Sequence, residues 1–386
     1  MAAARAELLP LERCPSLGEE WQSLERVADG SPFTSWAWVS TWLRHLPARF
    51  LPTVFRAHDE HGVLALALLV DAPENGLRRL AGARSIHLQE TGNLELDELT
   101  IEYAGVLARG GEETRAYALL FDALDAHDRH WRRLRISASA HATTIAATLP
   151  ARLRAFRLHA SSCCLVDLAA LRSSGRDYLS ALGRSTRTGL RQTRRYYEAL
   201  GPLRADDAAD AGEALEWLDE LRELHARHWR SRGKTGSFAS PFFADFHRDF
   251  VRAQSGGGMV RLLRITAGPV LIGYLYLLVW RRRICVYNTG LNYGALARHD
   301  RPGFLSHLLA IERCLAEGFD EYDFLAGEAD YKRKMATHGR TLQWIDVRRD
   351  DWRLACEHLA AALLRRARPL PLSTDGASQR PLREEG

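Results

Sequence analysis

Glu328 and Tyr331 stand three residues apart just past Gly327. A carboxylate accepts protons and a phenol donates them, so the pair suits general acid–base work. A helix beginning after Gly327 would set both on one face. Asp323 is a second candidate base, and capping a turn is its ordinary reading. Lys332 offers a cation to a phosphate or a carboxylate; a salt bridge to Asp323 or Glu328 is its ordinary role. Upstream, Arg298 and Arg301 precede Pro302-Gly303 and a helical apolar pattern. A helix N-terminus presents unpaired N–H groups and partial positive charge. Gly303 lets backbone approach a ligand, so this combination could cradle a phosphate. Two solvated arginines on an ordinary crossover unit are the plain alternative. The stretch holds neither GxGxxG nor GxxxxGK[ST].

The elements that must position these groups are legible around them. Residues 284–292 are rich in β-branched and aromatic side chains and predict a strand. Phe304, Leu305, Leu308, Leu309, Ile311 and Leu315 recur at helical spacing, and Gly318 closes that helix. Tyr322-Asp323-Phe324-Leu325 predicts a short strand ending at Gly327. Strand, basic loop, helix and strand make a βαβ crossover. Glu328 then lies past the carboxyl end of a parallel strand, where ligands of such sheets bind. Ahead of this unit, segments 259–266, 269–279 and 283–291 predict three strands joined by tight links.

The helical segment 176–200 carries Arg184, Arg187, Arg191, Arg194 and Arg195 at three- and four-residue steps, with no acid between them on that face. A solvated basic face is the bland reading; an anion-binding helix is the functional one, with Arg187, Arg191 and Arg194 meeting an acceptor. A long helix, 211–232, bears His225 and Trp229, which we assign to the substrate. In the first half of the chain, 53–57 and 63–70 predict a hairpin, 112–127 a helix and 134–137 a strand. A strand over 162–168 opens the second half, 342–348 a late strand and 354–365 a final helix.

The chain of 386 residues suits two domains, and we place them at 1–160 and 161–365, with a disordered tail over 366–386. Lysines and arginines number 53 against 48 acids, a net charge of +5 that permits an anionic ligand without demanding nucleic acid. The six cysteines form no CxxC, which excludes a zinc ribbon and a disulfide framework. His127, His130 and His141 lack HExxH spacing and read as surface histidines, so no metal is expected. There is no signal-peptide core, and the longest apolar run, 63–70, is too short to span a membrane, so a cytoplasmic protein is expected.

The run from Asn288 to Lys332 resembles the acyl-CoA-binding core of the GNAT acyltransferase superfamily. The resemblance is carried by Pro302-Gly303, Gly318, Tyr322-Asp323-Phe324, Gly327 and Tyr331-Lys332. It is closest to the long two-domain branch associated with cellulose and exopolysaccharide synthesis (CelD-like), related to Fem-type aminoacyl transferases. Phe33 to Trp38, Ile101-Glu102-Tyr103 and Leu224 to Trp229 with Gly233 and Gly236 are weaker echoes, so the likeness runs from about residue 20 to about 350.

The resemblance implies an α/β fold of two tandem GNAT-like domains, each a mixed, mostly antiparallel sheet flanked by helices, the first a degenerate copy. It implies acyl transfer, with acetyl-CoA or another acyl-CoA as co-substrate, to an amine or hydroxyl of an anionic or amino-sugar acceptor. Asn288, Arg298, Arg301, Gly303 and Phe304 would hold the donor. Glu328 or Asp323 would deprotonate the acceptor, Tyr331 would protonate the leaving thiolate, and Lys332 would assist. The loop Arg298 to Gly303 departs from the family's Gln/Arg-x-x-Gly-x-Gly/Ala pattern. An aminoacyl-tRNA-dependent transferase and a catalytically silent subunit of a polysaccharide machine therefore stand as alternatives.

Overall fold

A computed structural model describes residues 4–72, 84–127, 131–296 and 300–350. Arg298, His130, the expected helix 354–365 and the tail 366–386 lie outside the described residues. The first half runs β1 (Arg5–Pro10), α1 (Leu17–Glu25), α2 (Trp36–His45), β2 (Thr53–Asp59), β3 (Gly62–Ala72), β4 (Arg84–Leu88), β5 (Leu107–Ala108), α3 (Glu113–His127), β6 (Trp131–Ser139), α4 (Ala142–Thr148) and β7 (Leu153–Asp167). The second runs α5 (Leu168–Ser173), α6 (Tyr178–Ala181), α7 (Arg184–Glu198), β8 (Leu203–Asp207), α8 (Ala211–Ser231), α9 (Pro241–Gln254), β9 (Val260–Ala267), β10 (Val270–Trp280) and β11 (Arg283–Leu291). It ends in α10 (Pro302–Ala316), β12 (Glu321–Ala326), α11 (Asp330–Met335) and β13 (His338–Arg349).

Local signals explain many boundaries. Asp210 accepts from the Glu213 N–H to cap α8, and Ser240 accepts from the Phe243 N–H to cap α9, with Pro241 following. Gly318, at φ +86, closes α10 as its position predicts. The expected single helix over 176–200 divides instead. Asp177 caps the short α6, and Gly183 starts α7 afresh. Strands β1 and β8 were not expected, and β7 begins nine residues before the predicted strand at 162.

All strands join one sheet in the order β1-β2-β3-β4-β6-β13-β7-β12-β11-β10-β9-β8, with β5 beside β3. It is mixed and mostly antiparallel; β4–β6 and β11–β12 are its parallel pairs. Each half of that order repeats the same pairing pattern, β1, β2, β3, β4, β6 and β13 matching β8, β9, β10, β11, β12 and β7. The two inner strands are exchanged. β7 closes the first half in sequence but borders β12, while β13 ends the second half and borders β6. The boundary expected between residues 160 and 161 falls inside one unbroken strand, β7.

Helices cover both faces. One core holds α1, α2, α8 and α9 and crosses between the halves: Trp38 of α2 packs against Phe246 and Phe250 of α9, with ring centroids 4.8 and 5.3 Å apart. The other holds α5, α6, α7 and α10 against the second half only. No helix among the described residues is long and apolar enough to cross a membrane.

The first-half segment 97–103 clamps the second half. Tyr103 donates its hydroxyl proton to Asp323 Oδ2 at 2.5 Å, and Cys163 Sγ lies 3.0 Å from Oδ1. The Ala326 N–H donates to Glu102 at 2.7 Å, and the Tyr287 hydroxyl donates to the Leu99 carbonyl at 2.6 Å. Replacing Tyr103 by Phe keeps the ring and leaves the buried Asp323 carboxylate short of a donor. Denaturant unfolding should show a loss of about 1–3 kcal/mol.

Buried histidines add a pH dependence. His247 is fully buried between the hydroxyls of Tyr276 and Tyr287, at 3.1 and 3.0 Å, and burial holds its pKa well below 6.5. Because Tyr287 gives its proton to Leu99, it accepts from His247 Nε2–H, so Nδ1 accepts from Tyr276. Burial also lowers His225 to about 4 and His307 to about 3. The unfolded chain takes up these protons below the usual 6.5 while the fold refuses them. Stability measured by denaturant melts should therefore decline as pH falls from 6.5 toward 4, and replacing His225 by Gln should flatten that decline.

Candidate functional site

The parallel ladder between β11 and β12 closes after three pairs: Arg283 with Glu321, Ile284 with Tyr322 and Cys285 with Asp323. Both strands then become irregular. Tyr276 and Leu277 of β10 face Asn288 and Val286, so Tyr287 is an extra residue in a bulge. On β12, Leu325 takes a left-handed φ of +61, and its N–H donates to Asp323 Oδ1 at 2.8 Å. The strands splay, and β11 runs on to Leu291 without β12 beside it. A small, partly open cleft with a cavity volume of about 40 Å³ lies in the gap.

Its walls come from four elements: Val286 to Thr289 and Leu291 of β11, Phe324 of β12, His225, His228 and Trp229 of α8, and Tyr331 of α11. Tyr293, from the loop after β11, completes it. Among the described residues, no lysine, arginine, aspartate or glutamate lines the wall. Its wall combines α8, on one face of the sheet, with Tyr331, whose ring packs on α10 on the other.

Several side chains on the wall have defined partners. His225 Nε2 accepts from Trp229 Nε1–H at 2.9 Å, so its own proton sits on Nδ1. Nδ1 is buried and has no hydrogen-bond partner among the described residues. Burial first, and His228 second, keep this imidazole neutral. A Cβ at Gly236 would lie 2.3 Å from His225 Cε1, so only glycine fits the loop that covers it. The His228 ring stacks on Tyr293 at 4.9 Å and 18°. Asn288 is buried, and its Oδ1 accepts from the Thr289 N–H at 2.7 Å. The Tyr331 ring lies flat on His307 at 5.5 Å and 13°, with Phe304 and Phe324 edge-on at 6.4 and 6.1 Å. His307 Nδ1 sits 2.9 Å from the Tyr322 hydroxyl, which fixes the imidazole beneath Tyr331.

The expected site residues divide accordingly. His225, Trp229, Asn288 and Tyr331 meet in the cleft. Asp323 does not: it is fully buried in the seam between the halves, engaged by Tyr103, Cys163 and Leu325. Glu328 is exposed and off the wall, its backbone carbonyl accepting from Arg333 at 2.6 Å. Lys332 pairs with neither carboxylate. Its buried ammonium donates to the Ala326 carbonyl at 2.8 Å and tethers the end of β12.

Arg301 is the N-cap of α10, with its guanidinium 6.0 Å over the Phe304 ring. A Cβ at Gly189 of α7 would lie 3.4 Å from Arg301 Nη1, and one at Gly303 would lie 3.1 Å from Leu291 Cδ1 on the cleft wall. The helix start thus adjoins both α7 and the cleft. Asp300 shapes the approach by accepting from the Tyr197 hydroxyl and the Gly294 N–H.

The basic face of α7 is narrower than expected. Arg194 pairs with Glu312 of α10, and Arg187 reaches the Ser180 carbonyl at 3.5 Å. Arg184, Arg191 and Arg195 remain exposed. None of these lines the cleft. Sequence reasoning missed His228, Tyr287, Thr289 and Tyr293. The glycine and asparagine in Asn288-Thr289-Gly290-Leu291-Asn292, inside an otherwise regular strand, were the available signal for an irregular edge.

No curated protein matches the chain. Among solved structures, L-PGS from Bacillus licheniformis covers 91% of this chain and 97% of its own at 10% identity and a TM-score of 0.50. A conserved protein of unknown function from Bacteroides thetaiotaomicron covers 86% and 96% at 9% identity and 0.50. The C-terminal domain of a putative lysylphosphatidylglycerol synthetase from Agrobacterium fabrum covers 90% and 95% at 12% identity and 0.49. The first two share the fold across both halves. Residues 184–333, which hold α7, the cleft and Tyr331, match the family model of the acetyltransferase (GNAT) domain, and this part of the chain has the GNAT fold.

Proposed function

We propose that the protein is an acyltransferase that moves an acyl group from an acyl-CoA thioester to an amine or hydroxyl. The observation that carries this reading is the uncharged cleft between splayed parallel strands, beside a helix N-terminus and within residues 184–333. The donor supplies an activated acyl carbon. The free edge of β11 from Val286 onward offers backbone N–H and C=O groups to an extended amide-bearing arm. The first N–H groups of α10, from Gly303 and Phe304, together with Arg301 and Arg298, receive the phosphates.

The acceptor enters from the α8 side. His228, the half-buried imidazole on that wall, takes the proton from the attacking nitrogen or oxygen as its bond to the acyl carbon forms. Tyr331 gives a proton to the sulfur as the carbon–sulfur bond breaks. Both groups return to their starting states by exchange with solvent. His228 takes the role first considered for Glu328 and Asp323, because neither carboxylate reaches the wall. Neutral His225, with Trp229, orients the acceptor and keeps the cleft free of charge. An acetyl donor and an amino-sugar or polysaccharide acceptor rest on the CelD-like resemblance.

An aminoacyl-tRNA donor is the second reading, and the exposed Arg184, Arg191 and Arg195 favour it by offering phosphate contacts. Calorimetric titration separates the two. Acetyl-CoA and CoA should bind the wild type, and Arg301→Ala should weaken both by roughly 1–3 kcal/mol with an unchanged melting temperature. Absence of binding to the wild type would remove the acyl-CoA reading.

Tyr331→Phe and His228→Asn should each lower the single-turnover rate by about 10²-fold or more, while donor affinity stays near wild type. Normal rates per folded molecule in both variants would turn the assignment toward a silent binding subunit.

A further inference from the structure

The first half repeats the strand pattern that opens the cleft and then closes it. β4 and β6 pair in parallel from Arg84–Trp131 to His87–Arg135, the counterpart of the ladder that ends at Cys285–Asp323. Beyond that point Ser137 of β6 donates its hydroxyl proton to Glu90 Oε2 at 2.5 Å, bridging the two strand ends. Next to this bridge stand His87, Glu90 and Asp97, each with a ligating atom within 4.8 Å of the others.

The imidazole is aimed at the carboxylates. His87 Nδ1 lies 4.0 Å from Glu90 Oε2, with the two side chains only 12% and 13% exposed. Nδ1 itself is fully enclosed and has no hydrogen-bond partner among the described residues. Asp97 Oδ1 is held by the Thr91 N–H and hydroxyl, both at 2.8 Å. Gly92, at φ +72, crosses beside the imidazole where a Cβ would lie 2.7 Å from Ala72 Cβ and 3.2 Å from His87 Cε1.

We propose that His87, Glu90 and Asp97 bind one divalent first-row metal ion through an imidazole nitrogen and two carboxylate oxygens. This donor set suits zinc, manganese or iron(II), with water completing the coordination. Two buried carboxylates need positive charge, and among the described residues no lysine or arginine pairs with either. The nearest candidates, Arg135 and Arg133, pair with Asp346 at 2.5 and 3.2 Å. Protons on the carboxyls are the competing answer. Metal bonds of about 2.1 Å set ligand atoms roughly 3–3.5 Å apart, so the side chains close by about an ångström on binding. The ion would also steady the cleft. Asp97 opens the turn that ends at Leu99, whose carbonyl holds the Tyr287 hydroxyl on the cleft wall.

The test uses the full-length protein, stripped with chelator and titrated calorimetrically with Zn²⁺, Mn²⁺ and Co²⁺. One ion should bind per chain, and the melting temperature should rise with added metal. Visible absorption of the Co²⁺ form should report the nitrogen and oxygen ligands. Glu90→Gln, which keeps the shape of the protonated carboxyl, should fold and should weaken binding at least tenfold. His87→Gln should do the same and supplies the comparison if the first variant folds poorly. No binding of any of the three ions, or binding unchanged in both variants, overturns the proposal and leaves a pair of carboxyls that hold protons.

Discussion

The ladder between β7 and β13, from Leu165–His338 to Leu153–Arg349, is the constraint on which the molecule depends. Each of these strands leaves its own half to border the other, so neither half owns a complete sheet. The cost of ordering so distant a pairing is met only when both halves are present. That pairing also sets β12 against β7, and so fixes the position from which β12 diverges from β11. The cleft is thus a consequence of the seam. Asp323 sits where the two meet: its partner Tyr103 comes from the other side of the junction, and Cys163 lies on β7, the strand that spans it.

Burial decides the electrostatics of the cleft more than any charged neighbour does. His225, His247 and His307 are each neutral because desolvation outweighs the proton's attraction to nearby dipoles. An imidazole held neutral can stack or donate without attracting counter-ions, and this suits a site for an uncharged thioester and a nucleophile that must lose a proton. Arg301 and the exposed arginines of α7 lie off the cleft wall, where under the acyl-transfer proposal they would meet phosphates without raising the cost of burying the acyl group.

Much of this was legible in local pattern. The strand, loop, helix and strand around Arg301 appear within a residue or two of expectation, because apolar spacing and Pro302-Gly303 specify them locally. The three successive strands before them follow for the same reason. What was not legible depends on distant partners. Asp323 reads as a base until Tyr103, 220 residues away, fills its second oxygen. Arg194 reads as part of a free basic face because the acid that engages it, Glu312, lies on another helix. His228 and Tyr293 were passed over because their meeting depends on a bulge at Tyr287 that periodicity does not reveal. The length of β7 was hidden by its half-exposed, polar beginning, which lacks a buried strand's composition.

The two halves follow one pairing order and differ in what comes after the last parallel pair. In the second, β11 bulges at Tyr287, Leu325 turns left-handed, and the strands part around small or aromatic neutral side chains. In the first, β4 ends at Leu88, Gln89 donates its amide to the Phe33 carbonyl at 2.6 Å, and Glu90 crosses to Ser137. A glutamate at that point bridges the two strand ends with a polar group that must itself be satisfied. Fold and pairing alone therefore do not open a cleft. The difference lies in the residues after the parallel ladder, which among the described residues part the strands in the second half and bridge them in the first.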